Sequence, residues 1–400
     1  MKFIPAAFAV FSFALVLWQF FAARKFPIHK RIADPAFSPP VSILKPLKGC
    51  DATTPDSLES WLNQNYSGPL QLLFGVAAAD DPVCDVVREL IRKYPEADAK
   101  LVICGQTLGM NAKVSTLAQL ERAARYDLIL VSDADVRAPA DFLRNMVAPL
   151  RDSEVALVNC FYRIANAASL ASQWEAVVVN VDFWSGVLQS KSMRSLDFAM
   201  GAAILARQEC LRQVGGFAAL ADCLADDYQL GRRIAKKGGR IELCPVVVEC
   251  WDMPSNWLYA WKHQLRWGRT IRVCMPVGYL FSILCNGTLW PLIWLGQALA
   301  RAEARCAAAA IVLLAGRVAM AQSLQRRFNP ARQKPAPFWL VPVKDLLQVA
   351  IWAFAFCGNS IEWGGRKMRL RRDGNLEPLE RAPEAVEARA SARATEPRAR

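Results

Sequence analysis

The chain has 400 residues, 54% of them hydrophobic, and a formal net charge of +13; a mean hydropathy of +0.15 excludes a wholly water-soluble domain and places part of the chain in lipid. The basic excess borders apolar segments, and no RNP-like, zinc-finger or basic-zipper pattern accompanies it, so it reads as attraction to an anionic membrane face and not to nucleic acid. The 12 cysteines include no CxxC pair and only His29 and His263 accompany them, which excludes a clustered zinc site or a disulfide scaffold and leaves free thiols in a reducing compartment.

In chain order, residues 3–23 carry no charge and are long enough to cross a bilayer. No small-residue cleavage site follows; "RKFPIHKR" (24–31) does, so the segment reads as an anchor (1–25) with the next domain on the cytoplasmic side. Strands are expected at 41–46, 70–77, 100–104, 127–132, 154–161 and 201–206, with helices at 56–65, 83–94 and 112–125 among them. That alternation predicts an α/β domain over 40–270 with a mostly parallel sheet, whose ligands bind at the carboxyl ends of the strands. From 275 to 360 apolar segments return: 277–300 and 307–321 form a membrane hairpin, "RRFNPARQK" (326–334) returns to the cytoplasm, and 338–357 spans, tilts or lies in the interface. Full spanning there would put "RKMRLRR" (366–372) on the far side, against the positive-inside tendency. From 376 to 400 the chain is rich in Ala, Arg, Glu and Pro and reads as a disordered tail.

Within the α/β domain, "DLILVSDADVRA" (127–138) ends a dry strand in Asp133 and Asp135. Two carboxylates at that spacing repel unless solvated, used as a helix cap, or neutralised by a divalent cation such as Mg²⁺ or Mn²⁺. Three further stretches bear on the choice. "AAADDP" (77–82) ends a strand in Asp80 and Asp81, "CLADDYQLGRRI" (223–234) opens a helix with Asp226 and Asp227, and "HQLRWGR" (263–269) supplies Gln264, Arg266 and Trp267. Together they match the needs of a sugar nucleotide: a cation on Asp133 and Asp135, the uridine on Asp80 or Asp81, a general base at Asp227, and Arg266 on the leaving diphosphate.

The ordered set (strand-end Asp, DxD, acidic pair before Tyr, QxxRW) resembles the ceramide glucosyltransferase family. So do "VSILKPLKG" (41–49), "NAKVSTL" (111–117), "VGGF" (214–217) and "IEWGGRKMRLRR" (361–372), over residues 40–372. The resemblance implies a membrane-bound, inverting, UDP-sugar-dependent GT-A enzyme, here a bacterial inner-membrane protein with a cytoplasmic catalytic domain. It implies nucleotide binding by Asp81 and Lys113, nucleotide or metal contact by Asp133, and catalysis at Asp227 beside Asp226. Gln264, Arg266 and Trp267 are implied to contact the product nucleotide. The family's second DxD carboxylate is often replaced, which makes Asp135 the less secure ligand. The implied reaction carries glucose from UDP-glucose to ceramide; bacterial relatives with the same motifs carry N-acetylglucosamine from UDP-N-acetylglucosamine to hopanoid lipids.

Three rivals rank lower. A haloacid-dehalogenase-type phosphatase needs Thr or Val where Arg137 stands, and a processive polysaccharide synthase needs more spanning helices. A non-catalytic scaffold has no need of Asp133, Asp227 and Arg266 together. The acceptor is expected to enter near the amphipathic 174–188 segment, with Trp174, Trp184, Trp257, Trp261 and Trp267 as either an interfacial rim or core.

Overall fold

A computed structural model describes residues 3–251, 256–329, 335–363 and 365–379 of the chain. The strands are β1 (Val41–Leu47), β2 (Leu70–Val76), β3 (Ala99–Ile103), β4 (Leu128–Ser132), β5 (Val136–Arg137), β6 (Val155–Ile164), β7 (Ala203–Arg207) and β8 (Arg240–Cys250). They form one sheet in the order β3-β2-β1-β4-β7-β6-β8-β5. Four of its seven pairings are parallel; β7 runs against both β4 and β6, and β5 against β8. Because β7 alone is reversed between β4 and β6, the carboxyl ends of β1 to β4, β6 and β8 all meet at one edge.

The strands read as unbroken apolar runs because both faces are covered. Leu44, Leu73, Ile129 and Val131 enter one core, and their neighbours Ile43, Phe74, Leu128 and Leu130 enter the other. Strand β8 escapes sequence reading since Pro245 interrupts it, and Pro has no N–H to give a ladder. The β6–β8 register shifts between Cys160↔Cys244 and Tyr162↔Val248, so Pro245 sits in an irregularity where no ladder donor is needed.

Two helices, Ile4–Lys25 and Ala304–Phe328, are long and apolar enough to cross a membrane, and the pair Pro276–Cys285 and Leu289–Ala300, bent by 42°, passes the same test together. At 22 residues the first rises about 33 Å, close to a bilayer's hydrocarbon thickness. Ala23, Ala321, Leu324 and Phe328 from these helices join the same core as Leu44 and Ile129, so membrane and sheet regions share one hydrophobic interior. The Arg327 side chain donates to the carbonyls of Arg24 and Phe26, placing the basic ends of both helices side by side next to the sheet domain.

The 338–357 segment forms the helix Leu340–Phe356, and its two charges are internal. Lys344 and Asp345 are buried with Arg317; Asp345 pairs with both Arg317 and Lys344, and both cations also pair with Asp182. After this helix, "RKMRLRR" is not carried to a far side. Residues Ser360–Trp363 (β9), Arg366–Leu370 (β10) and Leu376–Pro378 (β11) form a small antiparallel sheet on the α/β domain. The Leu224 and Leu376 amides bond to the carbonyls of Gly374 and Asp222 at 3.2 and 2.7 Å. The expected tail therefore begins with an ordered strand; residues 380–400 and most of the expected cytoplasmic return (330–334) lie outside the described residues.

Candidate functional site

The carboxyl edge of the sheet is where the sequence motifs converge. After β4 the chain turns at once, with Val136 N bonded to Asp133 O at 3.3 Å, and β5 docks on the end of β8. The Trp251 amide bonds to Asp135 O at 3.1 Å, fixing the second half of the turn. The DAD triplet is thus pinned on both sides.

Lys113 lies at the centre. Its ammonium is 2.6 Å from Asp133 Oδ1 and 3.4 Å from Asp226 Oδ2. Asn111 places it there: its side chain caps the Ala112–Ala123 helix by accepting from Val114 N, and donates to Cys223 O at 2.8 Å and Asp226 Oδ1 at 3.5 Å. One amide therefore ties the lysine-bearing helix to the acidic pair. Asp226 and Asp227 open the Asp226–Lys236 helix, where the helix dipole favours negative charge. Gly201 leaves room for them, since a Cβ there would stand 2.9 Å from Asp227 Oδ2.

The electrostatics are uneven. Burial, then the neighbouring Asp226 charge, push the Asp227 carboxyl up to about 7, with Lys113 opposing. Burial disfavours the charged form of Lys113, but Asp133 and Asp226 outweigh it and raise its pKa. Tyr162, on β6, has its phenol pushed well up by burial and by nearby negative charge that includes Asp227, Asp133 and Asp135. Nothing in the sequence marks Tyr162 out.

Lys45 is a second residue that the motifs do not reveal. It is fully buried inside the apolar run of β1, yet its ammonium bonds to Ser132 Oγ at 3.3 Å and to the Asp133 carbonyl, and stands 4.9 Å over the Trp61 ring. Desolvation pulls its pKa down to about 7 against the pull of Asp135 and Asp133. The signal was available: a lysine inside a strand otherwise dry on both faces needs a buried acceptor.

Asp81 accepts from Gly49 N at 2.9 Å and from Val83 N at 3.0 Å, so it orders the loop after β1 and caps the next helix, while Asp80 is exposed beside it. Gly49 has φ +67°, a conformation open to glycine and strained for other residues. The structure brings Asp133, Asp226 and Asp227 together around Lys113; Asp80 and Asp81 stand at the end of β2, beyond β1.

The QxxRW motif lies on the Trp257–Cys274 helix, joined to the acidic pair where Tyr228 Oη donates to Cys274 O at 3.2 Å. Gln264 is buried, donates to Glu175 Oε1 at 2.9 Å and accepts from Gln348 at 3.2 Å. His263 Nδ1 meets the same Glu175 oxygen at 2.8 Å. Glu175 is thus a buried carboxylate organising two residues of the motif helix, and was hidden within an apolar stretch. Arg266 stacks over Trp363 of β9 at 5.9 Å, and the Trp267 ring lies 5.1 Å from His263 and 6.1 Å from Phe183. This gives "IEWGGRKMRLRR" a place in the site. Trp174 and Trp184 are fully buried core rather than a rim, because the 174–188 segment runs through the shared core; Trp257 is exposed.

Among the described residues no three His, Cys, Asp or Glu side chains converge as a ready-made metal cage. The donor set instead suits a cation held by one or two carboxylates with phosphate oxygens completing its shell, and Lys113 already marks the spot as one that attracts positive charge.

Comparison with known proteins agrees with this fold. A mannosyltransferase from Pyrobaculum calidifontis, solved in complex with GDP-Man and Mn²⁺, superposes with a TM-score of 0.54 at 20% identity, covering 89% of this chain and 98% of that one. That likeness establishes the mixed α/β fold of GT-A type. Ceramide glucosyltransferase 3 of Caenorhabditis elegans is 31% identical over 234 residues, 57% of this chain and 50% of the relative. The ceramide glucosyltransferase of Candida albicans is 37% identical over 121 residues, 28% and 22% of the two chains. The chain spans about half the length, or less, of these curated relatives. The glycosyl transferase family 21 model matches residues 4–376, anchor, sheet and small C-terminal sheet alike, and the chain belongs to that family.

Proposed function

We propose that the chain is a membrane-bound inverting glycosyltransferase that moves a hexose from a UDP-sugar to a lipid hydroxyl, glucose to ceramide being the reading favoured by the named relatives. The observation that carries it is the cluster of Asp133, Asp226 and Asp227 around one lysine at the carboxyl edge of the sheet, joined through Tyr228 to the helix bearing Gln264, Arg266 and Trp267.

In this reading Asp80 and Asp81 offer acceptors to the uridine imide N–H, and Lys113 and Arg266 counter the diphosphate charge. Asp133, with Asp135, would hold Mg²⁺ or Mn²⁺, which when bound would supply positive charge to the diphosphate. Asp227 accepts the proton of the attacking lipid hydroxyl, and its raised pKa suits a base working near neutral pH. Attack from the face opposite UDP inverts the anomeric centre to a β-glycoside. In this reading the sheet domain faces the cytoplasm from a bacterial inner membrane, a placement supported by the paired basic ends of the two long apolar helices beside it.

The test supplies purified protein with radiolabelled UDP-glucose or UDP-N-acetylglucosamine and with ceramide or a hopanoid polyol. A labelled β-glycolipid from glucose and ceramide is expected. Label only from N-acetylglucosamine and the hopanoid reassigns donor and acceptor, and no labelled lipid from any pairing overturns the proposal.

A further inference from the structure

The small sheet β9–β11 is built on a hydrophobic core of its own, apart from the two that flank the large sheet. Ile361, Met368, Leu370 and Leu376 form it with Leu224, and Met110, Val273 and Trp363 pack against it. Strand β10 alternates accordingly, with Met368 and Leu370 buried and Lys367, Arg369 and Arg371 exposed. Three members of that core come from outside the sheet, and each belongs to a different segment of the candidate site. Met110 directly precedes Asn111, which ties the Lys113 helix to the acidic pair. Leu224 stands two residues before Asp226, and Val273 lies on the Trp257–Cys274 helix that carries Arg266. The core exists only where these three segments meet.

Polar contacts repeat the pattern. On the acidic side Leu224 N bonds to Gly374 O at 3.2 Å and Leu376 N to Asp222 O at 2.7 Å, with a bridge between Cys223 and Asn375. Asp222 Oδ1 in turn accepts from Met110 N at 2.9 Å, and Ala221 O from Asn111 N at 2.7 Å, which brings in the lysine-bearing helix. On the other side Lys262 pairs with Glu362 at 3.0 Å, Arg266 stacks over Trp363 at 5.9 Å, and Arg269 donates to the carbonyls of Ser360 and Cys357. Residues 262, 266, 269 and 273 recur at i, i+4, i+7 and i+11, a single stripe of the helix.

The two sides belong to different parts of the protein. Through Gln264 and Gly268 the motif helix packs on Glu175 and on Gln348, Ile351 and Ala355 of the Leu340–Phe356 helix. Asp226 and Asp227 instead open a helix that packs on β6 and β8 of the large sheet. Their spacing is therefore set by what bridges them. The Tyr228–Cys274 bond does so at one point, and the small sheet does so along about three turns of the motif helix.

We propose that the small C-terminal sheet is a brace that sets the position of Arg266 relative to Asp226 and Asp227, with Trp363 and Leu376 as positioning residues; the roles of Arg266 and Asp227 rest on the transferase reading above. The test uses the full chain in nanodiscs. Trp363→Ala is expected to lower kcat at least about tenfold with the UDP-sugar KM within about threefold of wild type, the split produced by misplacing a group that acts on the leaving diphosphate. Trp363→Phe keeps a ring beside the guanidinium and should recover about half of the rate or more. Leu376→Ala loosens the other end of the brace, so its loss should overlap with that of Trp363→Ala, and the double variant should fall no more than about threefold below the slower single. Hydrogen exchange supplies a readout without turnover. UDP with Mn²⁺ should slow exchange at the Leu224 and Leu376 amides, because a ligand of the assembled site opposes opening of the brace. That protection in a protein that forms no labelled glycolipid sustains the brace and overturns the transferase reading. Wild-type kcat in Trp363→Ala, no recovery in Trp363→Phe, losses that multiply in the double variant, or no protection at either amide overturns the brace.

Discussion

Two ion clusters, one at the carboxyl edge of the sheet and one among the apolar helices, are built in opposite ways. Among the helices, Arg317 and Lys344 face Asp182 and Asp345, two charges against two, and three of the four side chains are only 3–4% exposed. At the sheet edge Asp133, Asp226 and Asp227 share Lys113, and Asp133 remains 36% exposed. Lys45, buried beside the Asp133 carbonyl, is itself driven toward its neutral form. A balanced, sealed cluster is complete as it stands and ties the Leu340–Phe356 and Ala304–Phe328 helices to the turn carrying Asp182. In the proposed reading an unbalanced, open one is completed from outside, by a cation and a substrate. Net charge and exposure together separate a staple from a site.

The largest effect is expected from breaking the staple. Arg317→Leu leaves Asp182 and Asp345 facing Lys344 alone, an uncompensated buried charge worth roughly 3–5 kcal/mol. Thermal unfolding in detergent should show a much lower midpoint, largely recovered in Arg317→Leu/Asp345→Leu, where one charge of each sign is gone. A single variant that melts like the wild type would mean the cluster ties nothing.

The site should respond in the opposite manner. Chelating divalent cations is expected to cut turnover on the order of a hundredfold, the scale of losing one electrostatic stabiliser of a developing charge. Mn²⁺ or Mg²⁺ should restore it, and the unfolding midpoint should hold. Full activity in chelator would remove the cation from Asp133 and Asp135.

Glu175 tests whether the motif helix needs its buried anchor. Glu175→Gln should lower kcat/KM between tenfold and a hundredfold through misplacement of Gln264 and its helix. Unchanged kinetics would make it a packing residue only.

The smallest effects are in pH. The folded pKa of Asp227, raised to about 7 from 3.8, means that the carboxyl favours folding while protonated and that this contribution fades as pH rises through about 7. Asp227→Asn should therefore melt slightly higher than wild type at pH 8. The acid limb of kcat/KM should lie near pH 7, and Asp226→Asn, by removing a charge that raises Asp227, should move it to lower pH.

Much of this was legible in the sequence. The expected strands 41–46, 70–77, 100–104 and 127–132 recur as β1 to β4, because a strand dry on both faces is written as an apolar run. The acids proposed to carry the chemistry stood out in the sequence since carboxylates at the ends of such runs are costly unless used. Strand β8 was hidden by Pro245, whose missing N–H is absorbed by a register shift that only the partner strand reveals. Lys45, Glu175 and Arg317 were hidden for a shared reason: each is a lone charge inside an apolar stretch, and its meaning lies with partners 88, 89 and 28 residues away. The return of the small C-terminal sheet to the α/β domain was unreadable for the same cause, since its docking contacts, among them backbone hydrogen bonds to Asp222 and Leu224, the Lys262–Glu362 ion pair and Arg266 over Trp363, join residues far apart in the chain.

The most direct test of the account is single-turnover transfer by Asp227→Asn beside a separate measurement of UDP binding. Loss of transfer by at least about a thousandfold, with UDP affinity within a few fold of wild type, is what a base in an otherwise intact donor site predicts. Transfer at the wild-type rate would contradict it.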